Sequence, residues 1–419
     1  MNQLSAKLWN RDFILLTVIQ IFALFANAIL TFALPFYILD ISGSPALFGT
    51  VMAVGFIPLV LMSPLGGVIA DRGRKQRIMF WLDFLTAITV ILFMVSVGFF
   101  REVVPIVVVK LIALNIIQGI YMPTAMSAIP FLVPKNKLVP ANAVGSMVFS
   151  LSNVIGPVAG TILYAAFGLF PILVLSTVVF GLTAILDLFI KIPFEKRDNE
   201  ESKTRAKDLI TLVLADLREC AVFGIKEKPI LGKITLISFL YSIPLDAMLV
   251  VGIPIMITQL LKMDTQLLGI SQGFMMGGGV LGGILAGTLE KKLSIQKSHR
   301  SLWVCTLFLV PMAMVFLLDV PTFAAYIIIT ISGAVVMGAT GIVNIQIIAY
   351  VQLATPPQLV GKVTSVLMAI VMASFPLGQF LFGVLFERLY AIPWLTLFVA
   401  VFMALICALC SRRYFKKIV

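Results

Sequence analysis

The chain has 419 residues; 60% are hydrophobic, only 12% are charged, and the formal net charge is +12. Soluble domains carry about twice that charged fraction, and a mean hydropathy of +1.09 argues against a soluble enzyme. The four cysteines (Cys220, Cys305, Cys407, Cys410) and the single histidine, His299, have no metal-ligand spacing, so neither a metal site nor a cofactor is expected.

Apolar stretches of roughly 20 residues recur along the chain, each long enough to cross a bilayer. The first runs from about Phe13 to Ile38, too long for a cleaved signal, and is predicted to stay as a helix. Charges, Pro/Gly clusters and loop signals divide the rest. Twelve spans are predicted, at about 13–38, 46–69, 78–100, 103–128, 140–166, 171–192, 231–257, 265–288, 301–318, 322–350, 360–386 and 391–411. The expected fold class is an all-α membrane protein with twelve transmembrane helices.

Charge chooses an orientation. With both termini in the cytoplasm, every basic residue except Arg101, Lys110, Lys262 and Arg388 falls on the cytoplasmic side. That satisfies the positive-inside rule. The net charge then follows from topology and contact with anionic membrane lipids, and calls for no nucleic acid. The longest polar stretch, residues 195–228, mixes both charge signs with Leu209, Ile210, Leu212, Val213 and Leu217 at helical spacing. It reads as an amphipathic cytoplasmic helix in a linker. The domains expected are a first six-helix bundle, 1–192, a linker, 193–228, and a second six-helix bundle, 229–419.

The two bundles repeat one plan. Pro35 answers Pro254, Gly156-Pro157 answers Phe375-Pro376 and Gly119 answers Gly338, each 219 positions on; Gly49 and Gly67 answer Gly269 and Gly287 at 220. Parallel halves of several helices each suggest a transporter that rocks about its centre.

Two local motifs sharpen this. Between spans two and three stands Gly66-Gly67-Val68-Ile69-Ala70-Asp71-Arg72-Gly73-Arg74-Lys75. Taken plainly, it is a tight, basic loop beside helices that approach closely at glycine. Span five carries Gly156-Pro157-Val158-Ala159-Gly160, which reads as a kinked packing helix with a smooth stripe. In these positions the motifs resemble those of the major facilitator superfamily, closest to its macrolide-efflux and multidrug-exporter branch. The resemblance covers the whole chain, although Gly73 directly follows Arg72 where the family usually spaces its second glycine. It implies a gating latch of Gly67, Asp71, Arg72, Arg74 and Lys75, with Asp83 nearby, and an exporter-type kinked helix at Gly156, Pro157 and Gly160. In the second half the latch has decayed to Gly287-Thr288-Leu289-Glu290-Lys291-Lys292.

Polar residues inside the spans are costly and so become candidates for transport chemistry. Asp246 lies about fifteen residues into span seven, roughly 22 Å along a helix and near mid-membrane. Its repeat partner is Asn27. A carboxylate there can carry a proton, meet a cationic substrate, or simply bond to Tyr241. Span four offers Asn115, Gln118 and Tyr121, and span ten offers Asn344, with Gln346 on another face. The resemblance implies a central cavity lined by spans one, four, seven and ten, and so places Asn27 and Asp246 on facing walls. Drug–proton antiporters of the family usually carry an arginine where this chain has Asn115. Lys110 could substitute, but pairing or snorkelling toward the outer headgroups fits it better. Asp187 is expected to pair with Lys191 four residues on.

The function expected is export of a hydrophobic or amphiphilic small molecule, drug- or macrolide-like, by alternating access. The coupling ion is expected to be H+, in a monomeric, multi-pass protein of the bacterial cell membrane and not an enzyme. Export of a lipid or siderophore, uptake by the same fold, and a transport-inactive sensor or scaffold remain as alternatives.

Overall fold

A computed structural model describes residues 8–99, 102–193, 228–288, 295–355 and 360–415. The side chains of residues 64, 68, 71, 72, 135, 139, 360–362 and 365 lie outside the description. The predicted linker helix and the decayed second copy of the latch also lie largely outside it.

Among the described residues, twelve helices are long and apolar enough to cross a membrane, as predicted. They are α1 (Arg11–Ser42), α2 (Pro45–Arg72), α3 (Lys75–Phe99), α4 (Val103–Leu132), α5 (Leu138–Phe167), α6 (Leu169–Asp187), α7 (Pro229–Leu260), α8 (Thr265–Thr288), α9 (Ser298–Leu317), α10 (Thr322–Ala354), α11 (Val360–Arg388) and α12 (Pro393–Phe415). No strand is present among them. In hydrocarbon a backbone must satisfy its own polar groups, and a helix does so within one segment.

The chain forms two compact units. One holds Met1–Asp40 and Val54–Leu209; the other holds Ile41–Ala53 and Ile210–Val419. In the first unit, polar side chains tie helix ends together. Asn10 caps α1, accepting from Phe13 N at 2.9 Å, and donates to Leu132 O at the end of α4 at 2.6 Å. Gln76 at the start of α3 donates to Asp187 O and Leu188 O at the end of α6, at 3.1 and 2.9 Å. At the opposite end, Tyr164 of α5 donates to Asp40 of α1 at 2.8 Å. In the second unit, Tyr326 of α10 donates to Leu267 O of α8 at 3.0 Å. Glu387 of α11 accepts from Ser44 Oγ and from Ala46 N, the latter at 3.0 Å, and so caps the start of α2.

Small residues set the helix spacing, and they do so twice. In the first unit a Cβ on Gly156 of α5 would lie 2.3 Å from Cβ of Ala28 on α1. In the second, a Cβ on Gly378 of α11 would lie 2.5 Å from Cβ of Ala247 on α7. Ala28 and Ala247 stand 219 apart, whereas Gly156 and Gly378 stand 222 apart: the second contact is made one turn beyond Phe375, the repeat position of Gly156. The pattern recurs where α2 meets α4, with Gly66 against Gly119, and where α8 meets α10, with Gly282 against Gly338.

Candidate transport site

Span seven departs from α-helical geometry. Two wide turns, Ile243–Ala247 and Ile255–Leu260, follow π-type hydrogen bonding on either side of Met248–Pro254. Pro244 and Pro254 lack an N–H and break the regular ladder. Single π turns inside helices are frequent at functional sites. Asp246, the residue that broke the repeat's symmetry, sits in the first of them.

The surroundings of Asp246 come from α7 and α10. Its carboxylate lies beside the hydroxyls of Ser242, one turn earlier, and Thr340 of α10. Tyr241, fully buried, does not bond to Asp246; it donates to Asn344 Oδ1 at 2.5 Å. Asn344 and Gln346 do point to different faces. Gln346 turns to α9, where Ser298 donates to its Oε1 at 2.5 Å. The result is a half-buried carboxylate in a distorted turn, flanked by two hydroxyls and a tyrosine–asparagine pair. Such a group can take up and release a proton, or hold a cationic or hydrogen-bonding part of a ligand.

The first unit distributes its candidates differently. Asn27 is half-buried on α1, next to the tight Ala28–Gly156 contact. Asn115 on α4 is buried and donates back to Leu111 O of its own helix at 3.0 Å. Gln118 is half-buried. Tyr121 is buried and lies close to Asp83 and Asp187. Asp83 is buried too and lies beside Thr183 of α6. The expected Asp187–Lys191 pair is not made: both Asp187 carboxylate oxygens are buried without a hydrogen-bond partner among the described residues. Lys110 does not snorkel; it is buried and donates to Thr89 Oγ1 of α3 at 2.8 Å. The Asp83–Thr183 approach joins helices 100 residues apart, and the Lys110–Thr89 bond joins consecutive helices; local spacing carried no signal for either.

In the latch motif, α2 runs on through Asp71 and Arg72, and α3 begins at Lys75. Gly66 is the glycine that approaches another backbone; Gly67 has open space where a Cβ would sit. Arg74 is exposed, and Lys75 Nζ lies 4.6 Å from the centre of the Phe131 ring, a cation–π contact. In the kinked helix, Gly156 meets Ala28 and Gly160 faces the Ile29 backbone at 3.3 Å.

Among the described residues, two cavities stand out in the second unit. A crevice of about 820 Å³ between α8, α9 and α10 is walled by Gly278, Gly282, Phe274, Leu281 and other apolar residues, with Ser301 its one polar wall residue. A smaller one, about 610 Å³, is lined by Gln296, Lys297, His299, Arg300, Trp303 and Arg412. His299 lies in the first turn of α9.

Comparison with known proteins agrees with this architecture. The sequence profile of the Major Facilitator Superfamily matches residues 16–368. Macrolide efflux protein A of Streptococcus pyogenes is 25% identical over 186 residues, covering 44% of this chain and 46% of that relative. The match therefore spans about half of the relative's length. The uncharacterized MFS-type transporter YkuC of Bacillus subtilis (strain 168) is 24% identical over 377 residues, covering 85% of this chain and 81% of that protein. The crystal structure of the nucleoside transporter NupG superposes with a TM-score of 0.68 at 13% identity, covering 97% of this chain and all of that one. This chain belongs to the Major Facilitator Superfamily and is a multi-pass protein of the bacterial plasma membrane.

Proposed function

We propose that the protein exports a hydrophobic or amphiphilic organic molecule, macrolide-like in character, in exchange for protons. The observation that carries this reading is Asp246, a half-buried carboxylate in a π turn between Ser242 and Thr340. Alternating access by the two bundles would present Asp246 to one side of the membrane and then the other. Proton binding would favour one state and substrate binding the other. Differential affinity of each ligand for the two states is the whole source of coupling. Asn27, Asn115, Gln118, Tyr121 and Asn344 are the polar candidates for binding and relay, few enough to favour an apolar substrate over a sugar or phosphate. Similarity to a macrolide efflux protein supports the export direction and the substrate class.

Both termini are proposed to lie in the cytoplasm. The basic pocket of Lys297, His299, Arg300 and Arg412, with Trp303 beside it, would then meet anionic headgroups of the inner leaflet. The latch motif, Gly67 with Asp71, Arg72, Arg74 and Lys75, is proposed to steady one end state of the cycle. The chain is proposed to act as a monomer.

The test is flux in proteoliposomes holding the purified chain, with a panel of macrolides, lipophilic dyes and lipids, under an imposed pH gradient. Movement of a macrolide or dye against its gradient, driven by protons moving the other way, is expected. Flux that ignores the pH gradient, or net uptake driven by co-moving protons, contradicts the proposal.

A further inference from the structure

A second acidic feature lies in the first unit. Asp83 on α3, Asp187 at the end of α6 and Tyr121 on α4 are 2%, 0% and 2% exposed. Both α6 and α4 pack on α3. The Gln76 bonds put the start of α3 level with the end of α6, so the two helices are antiparallel neighbours. A helical side chain leans toward its own N-terminus. Asp83, two turns into α3, therefore leans toward the end of α6, while Asp187 leans inward to meet it. The two carboxylates lie close enough to repel each other, and the Tyr121 hydroxyl lies close to both.

These groups are under-satisfied. Asp83 Oδ2, both Asp187 oxygens and the Tyr121 hydroxyl are buried without a protein hydrogen-bond partner among the described residues. The polar groups around them are committed elsewhere. The Gln76 amide donates to the Asp187 and Leu188 carbonyls. Lys110 of α4 donates to Thr89, six residues farther along α3 and so roughly 9 Å away along the axis. Asp12 of α1 accepts from Lys191 N at 3.1 Å. Tyr164 of α5 donates to Asp40 at the opposite end of the unit. Thr183 is the exception: its hydroxyl is shared between Phe180 O, at 3.1 Å, and Asp83, whose Oδ2 is still left over.

Two adjacent buried carboxylates cannot both stay ionised without a counter-charge. One proton resolves this: a carboxyl donates to its neighbour, and a phenol donates to the oxygen that remains charged. We propose that Asp83 and Asp187 hold one exchangeable proton between them, with the Tyr121 hydroxyl as donor to the ionised partner. A divalent cation fits less well, since no third acidic, histidine or cysteine side chain joins the pair among the described residues. Tyr121 is a candidate in the transport reading as well, but the carboxylate pair does not rest on that reading: it is read by proton binding and not by flux.

Infrared titration of the purified full-length chain tests it, following the carboxylic-acid carbonyl signal of wild type, Asp83→Asn, Asp187→Asn and the double variant. Wild type is expected to carry one more protonated carboxyl near pH 7 than the double variant, where an ordinary Asp, titrating near 3.9, is fully ionised. Equal signals in the two overturn the proposal. Wild-type signal that vanishes when sodium replaces a large organic cation makes the pair a metal-cation site, and overturns it too. Tyr121→Phe keeps the ring and removes the donor to the charged oxygen. Proton binding should then tighten about tenfold, the equivalent of a hydrogen bond to a charged group. An unchanged midpoint in that variant removes Tyr121 from the site. Asp246→Asn should leave the signal difference in place.

Discussion

Replacing Gly66 by alanine tests the close packing that the motif glycines provide. The added Cβ would lie 2.3 Å from Gly119 O and 2.8 Å from Cα of Ile120, both backbone atoms of α4. Ordinary contact begins at 3.4 Å, so the helices must part by about 1 Å, and no side-chain rotation can relieve the clash. Overpacking of this kind costs about 1–3 kcal/mol, which is roughly a 5- to 150-fold change in an equilibrium. Gly67→Ala is the internal control, because nothing lies within 4 Å of its Cβ position. Both substitutions gain the same helix propensity, about 1 kcal/mol in favour of alanine, so their difference isolates the clash. The assay is thermal unfolding of the purified chain, followed by reaction of the buried Cys305 and Cys407 with a thiol dye. Gly66→Ala should unfold several degrees below wild type, with Gly67→Ala at or above it. Equal midpoints for the two variants would refute the close-approach reasoning.

Three further substitutions probe individual contacts. Asn344→Leu removes the acceptor of the buried Tyr241 hydroxyl and leaves it only Ser238, a loss of about 1–3 kcal/mol; adding Tyr241→Phe should recover most of it in the same unfolding assay. Glu387→Gln weakens the cap on the start of α2, and a drop of about 0.5–2 kcal/mol is expected; the loss should shrink at high salt, where charge–dipole attraction is screened. Lys110→Met removes a buried amine and should be neutral or stabilising, whereas Thr89→Val leaves that amine without its acceptor and should destabilise. The reverse ranking would show that Lys110 carries more than the Thr89 contact.

The spans, the repeat and the glycine motifs were legible because each is written in local composition or in one constant spacing. The 219-residue spacing relates Ala28 to Ala247 but puts Phe375 opposite Gly156, so it did not show that Gly378, one turn further on, makes the second contact. Which motif glycine makes the close contact was not legible, since Gly66 and Gly67 differ only in the helix face they present. The π turns of α7 were hidden for a related reason: Pro244 and Pro254 announce a disturbance without saying whether the helix kinks or widens. Asp187 was read against its neighbour Lys191, four residues on. Its carboxylate instead meets Asp83, more than a hundred residues away, because tertiary packing of α3 on α6 outweighs a weak surface pair.

The most direct test of the account is Asp246→Asn, measured as drug accumulation in proteoliposomes under an imposed pH gradient, beside exchange of labelled for unlabelled drug at equal pH. Asparagine keeps the shape of the side chain but cannot release a proton. The account predicts that exchange survives while accumulation against the gradient is lost. Wild-type accumulation in Asp246→Asn would contradict it.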